Sequence, residues 1–246
     1  MRDTDIVQCG SCPVRQMPLF RPFLPADLDL AARVKIGQRI AEPEHDIIGE
    51  GQDGGFLFTI FEGWAYRYLD YASDKRQILD VILPGDLIGL DRVLLGTPSR
   101  RVRALTALNL CALDATLLPS ALAQQPTLSN ALMAKLAQDQ RRSDERLALI
   151  GQGNGPQRIA YLMLDIHDRL QRRALVNGGC PFPLERRHLA AALGISGTHV
   201  TRSLADLRAA GLTTVANGML LIHNHERLAE LAGFKAVGAL GETALL

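Results

Sequence analysis

Four cysteines are the residues best suited to chemistry in this 246-residue chain, and they are unevenly spaced. Cys9-Gly10-Ser11-Cys12 sets two thiols within one turn of backbone, Cys111 lies within the last of the strand-like apolar runs, and Cys180 stands by itself before Pro181. A Cys-x-x-Cys pair can offer two thiolates to one metal ion or close a disulfide, and alone it selects neither. An isolated cysteine such as Cys111 has a plainer reading, as a small buried apolar residue. A dithiol redox enzyme would carry the pair where a helix opens in a βαβ unit. Here the pair precedes a strand-rich region, so no catalytic role is expected. His45, His167, His223 and His225 form no H-x-x-x-H pair and read as surface residues.

A second group of residues is compact. Leu184–Leu193 reads as a helix ended by Gly194, and Ser196 opens another, Ser196–Ala210, closed by Gly211. Serine is a good N-cap and glycine a good C-cap, so these boundaries have a mechanism. Leu212–Ile222 follows as strand, Asn217-Gly218 turn and strand, and Asn-Gly is the strongest two-residue hairpin signal. Two short helices and a hairpin make a winged helix-turn-helix. The second helix of that motif enters the DNA major groove by its N-terminal end. That places Gly197, Thr198, His199, Thr201 and Arg202 at base edges. Arg202 can donate a bidentate pair to guanine O6 and N7, a discrimination of about 1 to 3 kcal/mol. Ser196 and His199 can bind phosphate, and Arg186, at the start of the preceding helix, can clamp the DNA backbone.

These two groups need elements to hold them. Ile47–Asp114 alternates apolar runs with glycines, as in Phe56–Phe61, Glu62-Gly63 and Trp64–Leu69, which predicts a small antiparallel sandwich with Trp64, Phe56 and Phe58 in its core. Pro84-Gly85-Asp86 is a tight turn within it. Thr127–Ile150 carries apolar residues at helical spacing around a charged middle, which suggests a helix of about 35 Å. Such a helix can pack on its own sandwich or serve as a dimer seam, and the charged middle, ill suited to a plain core, favours the seam. Gly151–Pro156 is the hinge candidate, and Gln157–Arg173 a surface helix.

Composition bounds the rest. Hydrophobic residues make up 47% and charged ones 22% of the chain, enough apolar material for a sizeable core and too much for bulk disorder. The net charge of +1 gives no polyanion signature, yet residues 151–246 hold ten Lys/Arg against seven Asp/Glu. A mildly basic C-terminal part is compatible with nucleic acid. No stretch has the roughly 20 uninterrupted apolar residues of a membrane helix, and Met1–Asp5 carries two acids with no hydrophobic block behind it. A cytoplasmic protein without a membrane partner is expected.

Sandwich, long helix, hinge and winged helix in this order resemble the Crp/Fnr superfamily of bacterial transcription regulators. The residues that carry the likeness are Pro84-Gly85-Asp86-Leu87-Ile88-Gly89 and Leu189–Leu204 (LAAALGISGTHVTRSL). The resemblance implies an α+β fold: an N-terminal β-roll of the cyclic-nucleotide-binding type, a dimerisation helix and a C-terminal winged helix. In residue numbers it suggests an arm over 1–19, the sensor over 20–125, helix and hinge over 126–152, the DNA-binding domain over 153–232 and a tail over 233–246. It also implies a homodimer on a two-fold symmetric double-stranded DNA site, with RNA polymerase as a further partner. Thr198 stands where the family often has Glu, so the base beside the guanine read by Arg202 should differ from the family's usual choice.

The resemblance bears on the effector too. Cyclic-nucleotide-binding members hold the phosphate with an Arg-Ser pair and the ribose with a Glu. This chain has Pro98-Ser99 and Leu90 at those places, which removes the charge-assisted bonds and argues against a cyclic nucleotide. Arg100, Arg101 and Arg103 nearby read as a solvated strand end. The oxygen-sensing Fnr branch implies an iron-sulfur site made by C-x2-C-x5-C and one distant cysteine. Cys9, Cys12 and Cys111 match three of these positions, and Pro18 occupies the remaining one. A [4Fe-4S] cluster normally takes four protein ligands, leaving Asp27, Asp29, Cys180 or no protein atom as the fourth. A labile cluster, a thiol or disulfide switch, a haem-using variant and control by another ligand or by abundance all stay open.

Overall fold

The computed structural model describes residues 1–4, 7–17, 25–49, 55–72, 75–96, 100–176 and 179–236. The chain divides into two compact units that meet in sequence between Leu132 and Met133. The N-terminal unit contains β1 (Arg2–Thr4), α1 (Pro13–Gln16), α2 (Pro25–Val34), β2 (Lys35–Ala41), β3 (Asp46–Ile48), β4 (Phe56–Glu62), β5 (Ala65–Ala72), β6 (Lys75–Ile82), β7 (Leu87–Ile88), α3 (Leu90–Leu95), β8 (Arg101–Ala104), β9 (Leu108–Asp114) and α4 (Leu118–Gln124). A 3-10 turn, Cys9–Ser11, precedes α1.

The strands form two antiparallel sheets, ordered β1-β2-β9-β4-β7 and β3-β8-β5-β6. Their shared core holds Ile47, Phe58, Ile60, Ala65, Ile82, Ile88, Val102, Leu108 and Leu110. Trp64 is buried as well, while Phe56 stays half-buried with the Arg39 guanidinium 4.5 Å from its ring centre. Strand side chains alternate between faces, so Leu108, Leu110 and Ala112 of β9 enter this core and Cys111 points to the opposite face. The Pro84-Gly85-Asp86 turn is tied down locally. Gly85 adopts φ 92°, open to glycine without strain, and the Asp86 carboxylate accepts from Leu83 N at 2.9 Å.

α5 (Pro126–Gln152) runs across the unit boundary and is slightly longer than the sequence pattern suggests. After it come α6 (Gly155–Arg172), β10 (Cys180–Pro181), α7 (Arg186–Leu193), α8 (Gly197–Ala209), β11 (Thr213–Ala216), β12 (Met219–Ile222) and α9 (His225–Ala232). The break between α5 and α6 is narrower than the expected Gly151–Pro156 hinge. Gly151 and Gln152 stay helical, and Asn154 caps α6 in a reciprocal box with Gln157, Asn154 accepting from Gln157 N at 3.1 Å. A box of this kind satisfies two orphan N–H donors and lets a new helix start at once.

The apolar face of α6 is the core of the C-terminal unit, with Ile159, Leu162, Met163, Leu164 and Ile166 all buried. Its polar side meets the second half of α5. The Tyr161 hydroxyl donates to Glu145 at 2.6 Å, and buried Arg142 lies 3.7 Å from Asp165, which also pairs with Arg169 at 3.6 Å. Among the elements the sequence pattern left out are β10, which adds a third strand to the hairpin in the order β10-β12-β11, and α9, which packs on α6.

Candidate nucleic-acid interface and cysteine cleft

α7 and α8 build the helix-turn-helix from local signals. Gly194 closes α7 at φ 63°, and the Ser196 hydroxyl oxygen accepts from His199 N at 3.2 Å to start α8. Val200, Ser203 and Leu207 of α8 are buried, leaving Gly197, Thr198, His199, Thr201 and Arg202 together on its exposed side. Ser196 keeps its hydroxyl proton for an outside acceptor. Thr201 does not, because its hydroxyl donates to Gly197 O at 3.1 Å. Arg186 is exposed at the first position of α7, one residue before Arg187, which pairs with Glu185 at 2.9 Å. Arg158, not singled out in the sequence, fixes the motif from beneath by donating to Gly153 O at 2.9 Å and Leu193 O at 3.0 Å. Asn217 and Gly218 both take positive φ, 52° and 71°, as a type I′ hairpin turn requires.

One face of α5 has no cover among the described residues. Met133 is 60% exposed, Leu136 44% and Leu147 70%, and with Gln140, Ser143 and Ile150 they recur at alternating intervals of three and four residues. This is the a/d spacing of a coiled-coil seam.

The N-terminal unit sets the segment of Cys9 over the strand face of Cys111. Cys111 faces Gln38 on β2 and Thr59 on β4 across the sheet, and directly opposed residues share a face. Gln38, only 1% exposed, accepts from Val7 N at 2.7 Å, and Lys35 donates to Val7 O. The segment leading into Cys9 is therefore held over the face that carries Cys111. Val7, Gln8, Cys9, Gly10, Asp29, Ala32 and Lys35 line a cleft of about 410 Å³ there. Burial pushes the Cys111 thiol up to about 11; nearby Lys35 opposes this, while Cys9 and Cys12 add to it. Cys12 stands at the N-cap of α1. Against the plain reading of Cys111 as a small buried apolar strand residue, it is half-buried and lies on the face of β9 away from the sandwich core.

The described residues do not fit a four-ligand cluster as they are placed. Among them no three His, Cys, Asp or Glu side chains gather closely enough to hold a metal ion. Asp29 lines the cleft beside Cys9, whereas Cys180 is buried in the sheet of the C-terminal unit. Pro18 and the side chain of Asp27 lie outside the described residues.

At the effector position of the β-roll, Leu90 opens α3, and Pro98 and Ser99 lie outside the described residues. Arg100 is exposed, but its neighbours are not the solvated strand end expected of them. Arg103 holds Asp46 with two bonds of 2.7 and 2.8 Å, and Arg101 pairs with Asp70 at 3.0 Å. Burial works against ionisation of Asp46, yet bonds from Arg103 and the Tyr68 hydroxyl hold its carboxyl below the ordinary range.

A family profile described as the Crp-like helix-turn-helix domain matches residues 157–231. The chain is 20% identical over 227 residues to the fumarate and nitrate reduction regulatory protein of Escherichia coli (strain K12), covering 92% of this chain and 91% of that one. It is equally similar, at 20%, to the anaerobic regulatory protein of Aggregatibacter actinomycetemcomitans, over 92% and 88% of the two chains. The structure of FixK2 from Bradyrhizobium japonicum superposes with a TM-score of 0.71 at 23% identity, over 84% of this chain and 100% of that one. Together these findings give the chain the fold of FixK2, two antiparallel sheets followed by a long helix and a Crp-like helix-turn-helix domain. Residues 157–231 thus match a Crp-like helix-turn-helix domain, and over most of its length the chain is similar to fumarate and nitrate reduction regulatory proteins. Among the described residues no helix is long and apolar enough to cross a membrane.

Proposed function

We propose that this protein is a transcription regulator of the Crp/Fnr type that binds a two-fold symmetric DNA site as a homodimer and adjusts that binding to oxygen or redox state through Cys9, Cys12 and Cys111. The β-roll, residues 20–125, is the sensor, and residues 153–232 are the reading head. The observation that carries DNA reading is the exposed side of α8, where Thr198, His199, Thr201 and Arg202 stand free of the unit's own packing. Arg202 reads guanine, Thr198 sets the adjacent base preference, and Arg186, Ser196 and His199 hold phosphates. The a/d face of α5 favours a parallel pair of helices, with Gln140 and Ser143 as polar positions that fix its register. Redox control is supported by the way the segment leading into Cys9 is held over the face of the sheet that carries Cys111. A cyclic nucleotide is not the effector, given Leu90 and Pro98, and RNA polymerase is the expected downstream partner. The oxidation state need only favour one of two conformations by its differential free energy.

Selection of bound DNA from a random pool, followed by affinity measurement under reducing and oxidising conditions, tests the reading. A palindromic motif bound by a dimer, with affinity falling steeply as salt rises and changing with oxidation, is expected. Affinity independent of oxidation would leave a regulator governed by another ligand or by abundance. An unchanged family half-site would overturn the assignment of Thr198.

A further inference from the structure

We infer that Cys9 and Cys111 form a reversible disulfide that staples the N-terminal segment to the outer face of the β2-β9-β4 sheet. This deepens the redox reading above and rests on it for its consequence on DNA binding. Three observations bring the two residues to the same side of the sheet. Cys111 shares a face with Gln38, its partner in the strand register. Gln38 and Lys35 both hold Val7 by hydrogen bonds, and Cys9 follows two residues later, within about 7 Å of chain. Cys9 also lines the cleft that opens over this face, so a small oxidant reaches it directly. Cys12 lies beyond the 3-10 turn, its N–H bonded back to Cys9 O at 3.4 Å, where it caps α1.

The oxidant class is a hydroperoxide. The Cys9 thiolate attacks the peroxide oxygen, the O–O bond breaks, and Cys9 becomes a sulfenic acid as water leaves. The Cys111 sulfur then attacks the sulfenic sulfur, the S–O bond breaks, and a second water leaves with the thiol proton. In sum two thiols and one hydrogen peroxide give one disulfide and two waters, with two electrons passing from sulfur to oxygen. Thiol–disulfide exchange with a low-molecular-weight dithiol restores the reduced form. The bond closes a loop of roughly a hundred residues, so it restricts the unfolded chain strongly, and it fixes the N-terminal segment relative to β9.

The test treats the reduced full-length protein with hydrogen peroxide, alkylates it, and reads intact mass and a peptide map. Loss of two of its four thiols, a mass lower by about 2 Da before alkylation and a peptide joining Cys9 to Cys111 are expected. The double variant Cys12→Ser, Cys180→Ser should still form the bond, and Cys111→Ser should not. A Cys9–Cys12 bond, a bond between chains, or four retained thiols overturns the inference. So does protein prepared without oxygen that carries about four irons and matching acid-labile sulfide per chain. DNA affinity of the same samples separates the two readings. If the bond forms and affinity stays constant, the inference stands and redox control fails. If no Cys9–Cys111 bond forms and the affinity of the parent still changes with peroxide, redox control stands and the inference fails.

Discussion

The reading head and the cysteine cleft are built in opposite ways. α7, the glycine turn and α8 are consecutive in sequence, and each boundary is fixed by a cap a few residues away, such as Ser196 on His199 N or Gly194 at φ 63°. The cleft is assembled from Val7–Gly10, Asp29, Ala32 and Lys35, and strand register places Cys111 on the face over which this segment is held. A site made of consecutive residues depends on local hydrogen bonds, so its failures stay local. A site made by pairing distant strands exists only once the whole sheet has formed. The first suits a fixed probe for DNA bases. The second suits a sensor, because a change at one thiol is felt by a segment far away in sequence.

The largest expected effect comes from the α5 face. Charges placed there by Leu136→Glu with Leu147→Glu should give a monomer by sedimentation and weaken DNA binding by roughly a hundredfold or more, as the second head no longer adds its contacts. Oxidation at Cys9 and Cys111 should be unaffected, which keeps the two regions distinct. If the variant remains a dimer, the seam is misplaced.

Arg202→Ala is next. On the selected DNA it should cost about 1 to 3 kcal/mol per half-site with relaxed preference at the guanine, and on random DNA much less. Arg186→Ala should weaken both alike and make the salt dependence shallower, by about one unit of slope for each phosphate it no longer neutralises. Fluorescence anisotropy titrations at several salt concentrations measure both. An Arg202→Ala loss that is equal on all sequences would make Arg202 a phosphate ligand.

Removing the cap is smaller. Ser196→Ala should destabilise the C-terminal unit by about 1 kcal/mol, visible as a lower urea midpoint in helical circular dichroism. Trp64, the single tryptophan, reports the N-terminal unit, and its fluorescence midpoint should not move.

The smallest effects are in pH, and they separate the units. Burial lowers the His167 pKa and neighbouring His225 lowers it further, against a raising contribution from Asp168. The folded chain therefore binds this proton less readily than the unfolded one. Its contribution to stability is complete above about pH 6.5 and is lost as pH falls through the lower folded value. Asp46 is also depressed, so its contribution is complete above the ordinary carboxylate value near 3.8 and declines only below it. The circular dichroism midpoint should begin to fall below pH 6.5 while the Trp64 midpoint holds until below about pH 4. His167→Gln should remove the first of these shifts, and midpoints moving together in the parent protein would contradict the separation.

Sequence alone determined the reading head and the sandwich. Caps, the Asn217-Gly218 turn and glycine-punctuated strands act over a few residues, so residue type and spacing are enough to specify them. It also marked the Cys9/Cys12 pair by spacing, but joined Cys111 to that pair only through a resemblance, since nothing within five residues of Cys111 marks it as different from a core position. α9 went unread because its eight residues present too short an apolar face, and β10 because two residues carry no period. Tertiary structure decided which face Cys111 occupies, that Lys35 and Gln38 hold the N-terminal segment over it, that Arg103 is spent on Asp46, and that one face of α5 remains exposed. These are properties of register and packing between residues far apart in the chain, and they take effect only when distant strands and helices meet.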